Sequence, residues 1–407
     1  MKKRILGLGL LLLASGAFAG GTGIPSRDPN LDVLPGFKTP PAGYGEIPYW
    51  WWTGDTLDTD RLIGELDALH KKGISGVQVN YSHHDTQGWL TDQDDPPIFT
   101  EAWWTVYEKV AQACAERKMG IGLSTYTIDW PRGATNLFYR LFYSKPELNA
   151  IELQKEGPWR VKGGERLDKK LPDDVFAVRA YPVKDGLPTR GGTDVTPQVK
   201  DKALAWQAPA GDWDVWAYRA VRREGSLNPI MPGAGDTVIR GFFQPFEDRA
   251  PGKSSLGLNY FFNDELHIVV EKFAWNPDFA AEFQKRKGYD LMEALPAMWQ
   301  DVGPLTPKVR MDYADVRMSL LEERYFKPIY TWHASRDMIF GCDSGGRGLD
   351  PHEFGDYFRA TRWYSAPGHD TPGGRADLIK GKVDSSIADL YGRPRVWLEG
   401  YHSLGWG

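Results

Sequence analysis

The chain of 407 residues has two cysteines, Cys114 and Cys342, too few for a disulfide framework and at a spacing that fits no zinc motif. Both are expected as buried small apolar residues, with one long-range bridge as the alternative in an oxidising compartment. After the first residues there is no run of Lys or Arg, and the net charge is −5, so the electrostatic footprint of a nucleic-acid binder is missing. No apolar segment reaches the roughly 20 residues of a membrane span. A GxSxG elbow is absent, as are a His-x-x-x-His pattern and a His-Glu-x-x-His helix, which removes the common serine-hydrolase and zinc-protease readings.

What is present begins at the N-terminus. Lys2, Lys3 and Arg4 precede an apolar stretch from Ile5 to Leu13 and then Ala17-Phe18-Ala19, the pattern of a cleavable signal peptide at residues 1–19. The expected protein is therefore secreted or periplasmic. There are 17 Trp, and aromatics make up 13% of the chain, a composition that serves either core packing or stacking on sugar rings.

Beyond a Pro/Gly-rich leader at 20–45, strand-like and helical patterns alternate. Ile47–Trp52 is followed by a helix near 60–72, Val77–Asn80 by a helix near 102–117, and Ile121–Ser124 closes the third cycle. From 136 to 240 the rhythm changes to short β runs between Gly/Pro turns, read as an inserted all-β domain. Trp213 and Trp216 in it are expected on opposite sides of one strand. The alternation resumes at 241–407 with Leu258–Glu265, a long helix from Lys308 to Asp337, Met338–Gly341, Arg362–Ser365, a helix at 376–391 and Arg395–Glu399. The apolar face of the long helix is expected to hold Met311, Ala314, Val316, Met318, Leu321 and Phe326.

This predicts an α/β fold, a (β/α)8 TIM-type barrel whose halves are 46–135 and 241–407, interrupted by the β domain after strand three. Only seven strands are counted, so the eighth is expected to be missing from a C-terminally truncated chain.

In such barrels the chemistry sits at the C-terminal ends of the strands. The polar residues there are Asp55 after strand one, Asn80 and His83 after two, Asp129 after three and Asn263, Asp264 and Glu265 after four. Asp343 follows strand five, His369 and Asp370 strand six, and Glu399 and His402 strand seven. Trp52 is the aromatic candidate for a substrate contact. The set is rich in carboxylates and poor in nucleophiles, and a carboxylate pair across a cleft is what glycosidic cleavage needs. Glu265 and Glu399 are the favoured pair, because strands four and seven face each other and the aromatics before Glu265 would keep a proton on it. A cap or ion-pair role remains the alternative for each.

Residues 380–399, KGKVDSSIADLYGRPRVWLE, with GWG at 405–407, resemble the strand-seven block of the glycoside hydrolase family 106 α-L-rhamnosidases. The stretches FNDE at 262–265, WNPDF at 275–279 and GYD at 288–290 are similar to that family's strand-four block, and YWWWTGD at 49–55 to its opening block. The resemblance implies a carbohydrate partner, cleavage of terminal α-L-rhamnose by inversion, Glu265 as general acid, Glu399 as general base, and calcium in the active site with ligands unassigned. A retaining mechanism with Glu399 as nucleophile and a non-catalytic carbohydrate-binding fragment are the competing readings.

Overall fold

The computed structural model describes residue 38 and residues 46–52, 56–81, 95–124, 145–224, 226–249, 260–263, 272–343, 356–371, 378–393 and 395–400. Its centre is a parallel sheet of β1 (Tyr49–Trp52), β2 (Gly76–Tyr81), β3 (Gly120–Ser124), β4 (Tyr260–Asn263) and β5 (Ile339–Cys342), hydrogen-bonded in that order. A second parallel pair, β6 (Gly368–Thr371) and β7 (Trp397–Gly400), joins β5 through a bridge between Gly341 and Ala366. The seven strands therefore succeed one another in space as they do in the chain.

The sheet curls. Tyr49 on β1 meets the ring of Phe262 on β4 at 6.2 Å, and Phe262 meets Trp397 on β7 at 5.2 Å, although none of these strands are neighbours. Those contacts define a concave face. Successive side chains on a strand point to opposite faces, so Tyr49, Trp51, Gln78, Asn80, Phe262, Gly341, Asp370, Trp397 and Glu399 lie on it. Trp50, Trp52, Val77, Val79, Ile121, Leu123, Phe261 and Phe340 lie on the other and are buried.

Helices cover that outer face. The helix Thr59–Lys71 starts where the Asp58 side chain accepts from the Arg61 N–H at 2.8 Å and ends before Gly73, whose φ of +86° suits a glycine. The Trp50 indole donates to its Glu65 at 2.9 Å, tying β1 to the helix. The helix Glu101–Glu116 is capped by Thr100 and buries Trp103, Trp104, Val106, Val110 and Cys114. Cys114 and Cys342 are both buried, as the packing reading expected, and burial pushes the Cys114 thiol up to about 12.

The β-rich stretch runs from Ala150 to Arg223. Its central strand, Asp212–Arg223, lies between Ala150–Lys162 and Val175–Lys184, all antiparallel. One end has its own core of Val161, Leu167, Val178, Leu204, Trp206 and Val215. The other merges with the main core, where the Tyr181 hydroxyl donates to the Met292 carbonyl at 2.6 Å. A bulge between Val215 and Ala217 changes the register. Trp213 packs on Trp206, whereas Trp216 stacks towards Tyr218 and lies near Trp299, so both serve packing.

The long helix runs as Thr306–Leu321, a wider i→i+5 turn at Glu322–Phe326, and Lys327–Ala334. Met311 is exposed, against expectation, while Val316, Met318, Leu321 and Phe326 are buried. The wide turn aims Glu322 inward, where it accepts from Arg359 and from the Trp363 indole at 3.0 Å and pairs with Arg362 at 2.5 Å. This network claims Arg362 and Trp363 for the helix layer. The expected strand at Arg362–Ser365 is thus a turn after the short helix Tyr357–Thr361, and the sixth strand follows at Gly368–Thr371.

Candidate active site

The concave face is filled at its base by Tyr49, Phe262 and Trp397. The bareness of Gly341 makes room for this floor, since a Cβ there would sit 3.0 Å from Trp397 Cε3. Each strand rises about 3.3 Å per residue, so residues two positions further on stand about 7 Å above that floor. They are the rim at the C-terminal ends of the strands.

Glu399, two residues beyond Trp397, is half-buried on this face, and its register partner on β6 is Asp370. Neighbouring parallel strands lie about 4.8 Å apart, so the two carboxylates stand side by side. Asp370 is buried, and so is Asp343, which follows Gly341 by two positions and continues the ladder through its N–H to the Asn263 carbonyl at 3.1 Å. Across the sheet on β2, Asn80 pairs in register with Trp51 and is buried. Its Nδ2 and Oδ1 both lack a hydrogen-bond partner among the described residues.

The geometry thus places Asn80, Asp343, Asp370 and Glu399 from the sequence-derived set on one face, with Asp370 lying in the sixth strand rather than after it. Two members move away. Trp52 lies in the helix layer against Trp50 at 5.3 Å and Tyr107 at 6.5 Å, so the rim aromatic on β1 is its neighbour Trp51. Asn263 pairs with Cys342 and falls by alternation on the side of Phe261, where its carbonyl braces Asp343. Asp55, His83, Asp129, Asp264, Glu265 and His402 lie outside the described residues.

His369 also turns from the site. It points to the helix Leu378–Tyr391, where its Nδ1 is hydrogen-bonded to Asp384, whose other oxygen accepts from the Tyr357 hydroxyl at 2.8 Å. All three are buried, so β6 is clamped to its helix by polar contacts just where Asp370 faces inward. Sequence reasoning missed Gln78. The signal is there, since it is a lone amide between Val77 and Val79, and alternation puts it with Asn80.

Among the described residues no group of three or more His, Cys, Asp or Glu side chains converges so as to hold a metal ion. Among the described residues no helix is long and apolar enough to cross a membrane.

No family model matches the chain. A putative beta-glucuronidase from Formosa agariphila is 20% identical over 98% of this chain and 37% of its own length. Among solved structures, a rhamnosidase from Novosphingobium sp. PP1Y superposes with a TM-score of 0.62 at 13% identity, over 91% of this chain and 53% of that one. A beta-galactosidase from the haloarchaeon Halorubrum lacusprofundi gives a TM-score of 0.42 at 12% identity, over 82% of this chain and 42% of that one. The chain therefore shares the fold of the rhamnosidase and spans about half of that protein's length.

Proposed function

We propose that the chain is the barrel portion of an exported glycoside hydrolase that removes terminal α-L-rhamnosyl residues from polysaccharide or glycoside by an inverting, two-carboxylate reaction. The observation that carries this reading is the placement of Asp343, Asp370, Glu399 and the buried amide of Asn80 on one face, at the C-terminal ends of a curled parallel sheet. Active sites of (β/α)8 barrels occupy that end, and the fold shared with a rhamnosidase points the same way. We take the complete (β/α)8 barrel, the signal peptide and the calcium to belong to the same proposal.

In this mechanism Glu265 protonates the glycosidic oxygen while Glu399 deprotonates a water that attacks the anomeric carbon from the opposite face. Asp370, in the same row as Glu399, places a second negative charge beside the position where positive charge develops on the ring. The partly exposed ring of Trp397, packed on the buried Phe262, offers an apolar surface to the C–H face of the sugar. Among the described residues of the rim there are carboxylates but neither Lys nor Arg. A neutral sugar is therefore favoured there over a uronate, whose carboxylate would meet like charge.

The test is proton NMR of the hydrolysis of an aryl α-L-rhamnoside, read before mutarotation. The β anomer of rhamnose as first product supports inversion, and the α anomer would assign Glu399 as a nucleophile. A folded chain that cleaves no rhamnoside would refute the proposal.

A further inference from the structure

Two side chains of β2 are unexplained by the fold around them. Gln78 and Asn80 are each 1% exposed, while the intervening Val79 and the preceding Val77 are wholly buried in the helix-facing core. Gln78 Nε2 and both polar atoms of Asn80 meet no hydrogen-bond partner among the described residues. Buried amides without partners are costly and rare, and each one asks for an explanation.

Their placement supplies one. Register sets Gln78 beside Tyr49 and Asn80 beside Trp51, on the concave face, with Asn80 at the rim and Gln78 one step below it. On the other side β3 sets Gly122 against Gln78, so no side chain from that position covers the amide. The unpartnered atoms are therefore stacked along the wall of the cup that holds Glu399 and Asp370.

The chemistry of those atoms selects a ligand. An anion would meet Asn80 Oδ1 and the rim carboxylates, and a cation would meet the two amide N–H2 groups. A neutral group that both donates and accepts at adjacent atoms gives both polar atoms of Asn80 a partner. A vicinal diol does so, one hydroxyl accepting from Nδ2 while its neighbour donates to Oδ1. We propose that Gln78 and Asn80 form an amide ladder that reads a vicinal diol of a neutral sugar ring, with Gln78 Nε2 donating to a further ring or hydroxyl oxygen. The inference rests on the glycoside reading for its ligand class, and it makes β2 a specificity-determining wall opposite the carboxylates.

The test compares binding of L-rhamnose and 2-deoxy-L-rhamnose by the whole chain, wild type and Asn80→Leu, Asn80→Asp and Gln78→Leu, using ligand-observed NMR titration, with thermal melting in parallel. Sites built to hydrogen-bond a hydroxyl discriminate strongly against its absence, so the wild type should prefer L-rhamnose by on the order of 10²-fold or more. Asn80→Leu should bring the preference to about one. Its melting temperature should hold level or rise, because no protein hydrogen bond is lost. Asn80→Asp, which keeps the shape and the acceptor but loses the donor, should lie between. A wild type that binds neither sugar, or one whose preference survives both Leu substitutions, would overturn the inference. So would a fall of several degrees in Asn80→Leu with discrimination intact in Asn80→Asp, which would mark the amide as structural. If L-rhamnose is bound selectively but no rhamnoside is cleaved, the hydrolase reading fails and the ladder stands. Cleavage with an unchanged diol preference in the variants refutes the ladder and leaves the hydrolase reading in place.

Discussion

Asp384→Ala is the change outside the rim that should damage it most. Asp384 is wholly buried and accepts from two side chains, the Tyr357 hydroxyl at 2.8 Å and the His369 ring. Tyr357 belongs to the helix before β6, His369 to β6 itself and Asp384 to the helix after it, so one carboxylate fastens three successive elements. Removing it strands two buried partners at about 1–3 kcal/mol each, a loss of about 4 kcal/mol with nothing gained from the small cavity. Asp384→Asn keeps the shape and one acceptor and should cost about half as much. Urea unfolding followed by both tryptophan fluorescence and far-ultraviolet circular dichroism measures the loss and checks that the two probes move together. Because Asp370 adjoins His369 in the chain and Glu399 in the register, hydrolysis by Asp384→Ala should fall even where the protein remains folded. An unfolding free energy for Asp384→Ala within about 0.5 kcal/mol of wild type would refute the clamp.

Glu399→Gln and Glu265→Gln should each lower turnover by orders of magnitude while leaving folding intact, measured as kcat on an aryl rhamnoside; unchanged kcat in either removes that residue from the mechanism. Gly341→Ala would place a methyl 3.0 Å from the Trp397 ring and should cost about 1–3 kcal/mol and tilt the floor below Glu399, seen as a lower melting temperature and a changed KM. His333 is buried between Phe243 and Phe340, and burial pushes its ring down to about 3 from an ordinary 6.5. The unfolded chain then takes up a proton that the folded one refuses, so stability is full above pH 6.5 and drains as pH falls towards 3, by up to about 1.4 kcal/mol per pH unit. Melting between pH 7 and pH 5 should show that slope in the wild type and a smaller one in His333→Leu.

The strands legible in the sequence are those whose aromatic or β-branched residues pack on helices, such as Tyr49–Trp52 and Val77–Val79. Register then follows from alternation. The sixth strand is not legible, because Gly368, His369 and Asp370 have little strand propensity and are held in place by tertiary contacts. Gly368 is needed because a Cβ there would strike the Cys342 and Trp397 carbonyls, and His369 because Asp384 awaits it. The aromatic run at Arg362–Ser365 looks more strand-like, yet Glu322 draws it into the helix layer through a wide turn that periodicity does not reveal. For Trp52 the expectation misses by one residue, the shift that exchanges the faces of a strand. Asn80, Asp343 and Glu399 are identifiable by position alone, as polar residues at the C-terminal ends of apolar strand runs.

The central claim is that Glu265 and Glu399 face each other across a sugar. The most direct measurement is the separation of their carboxyl groups in a crystal structure of the chain with L-rhamnose bound. A gap of about 6.5–9.5 Å leaves room for the attacking water and is the result expected. A gap of about 5–5.5 Å would replace inversion by a covalent intermediate. A separation well beyond that range, or a Glu265 turned away from the strand ends, would contradict the account.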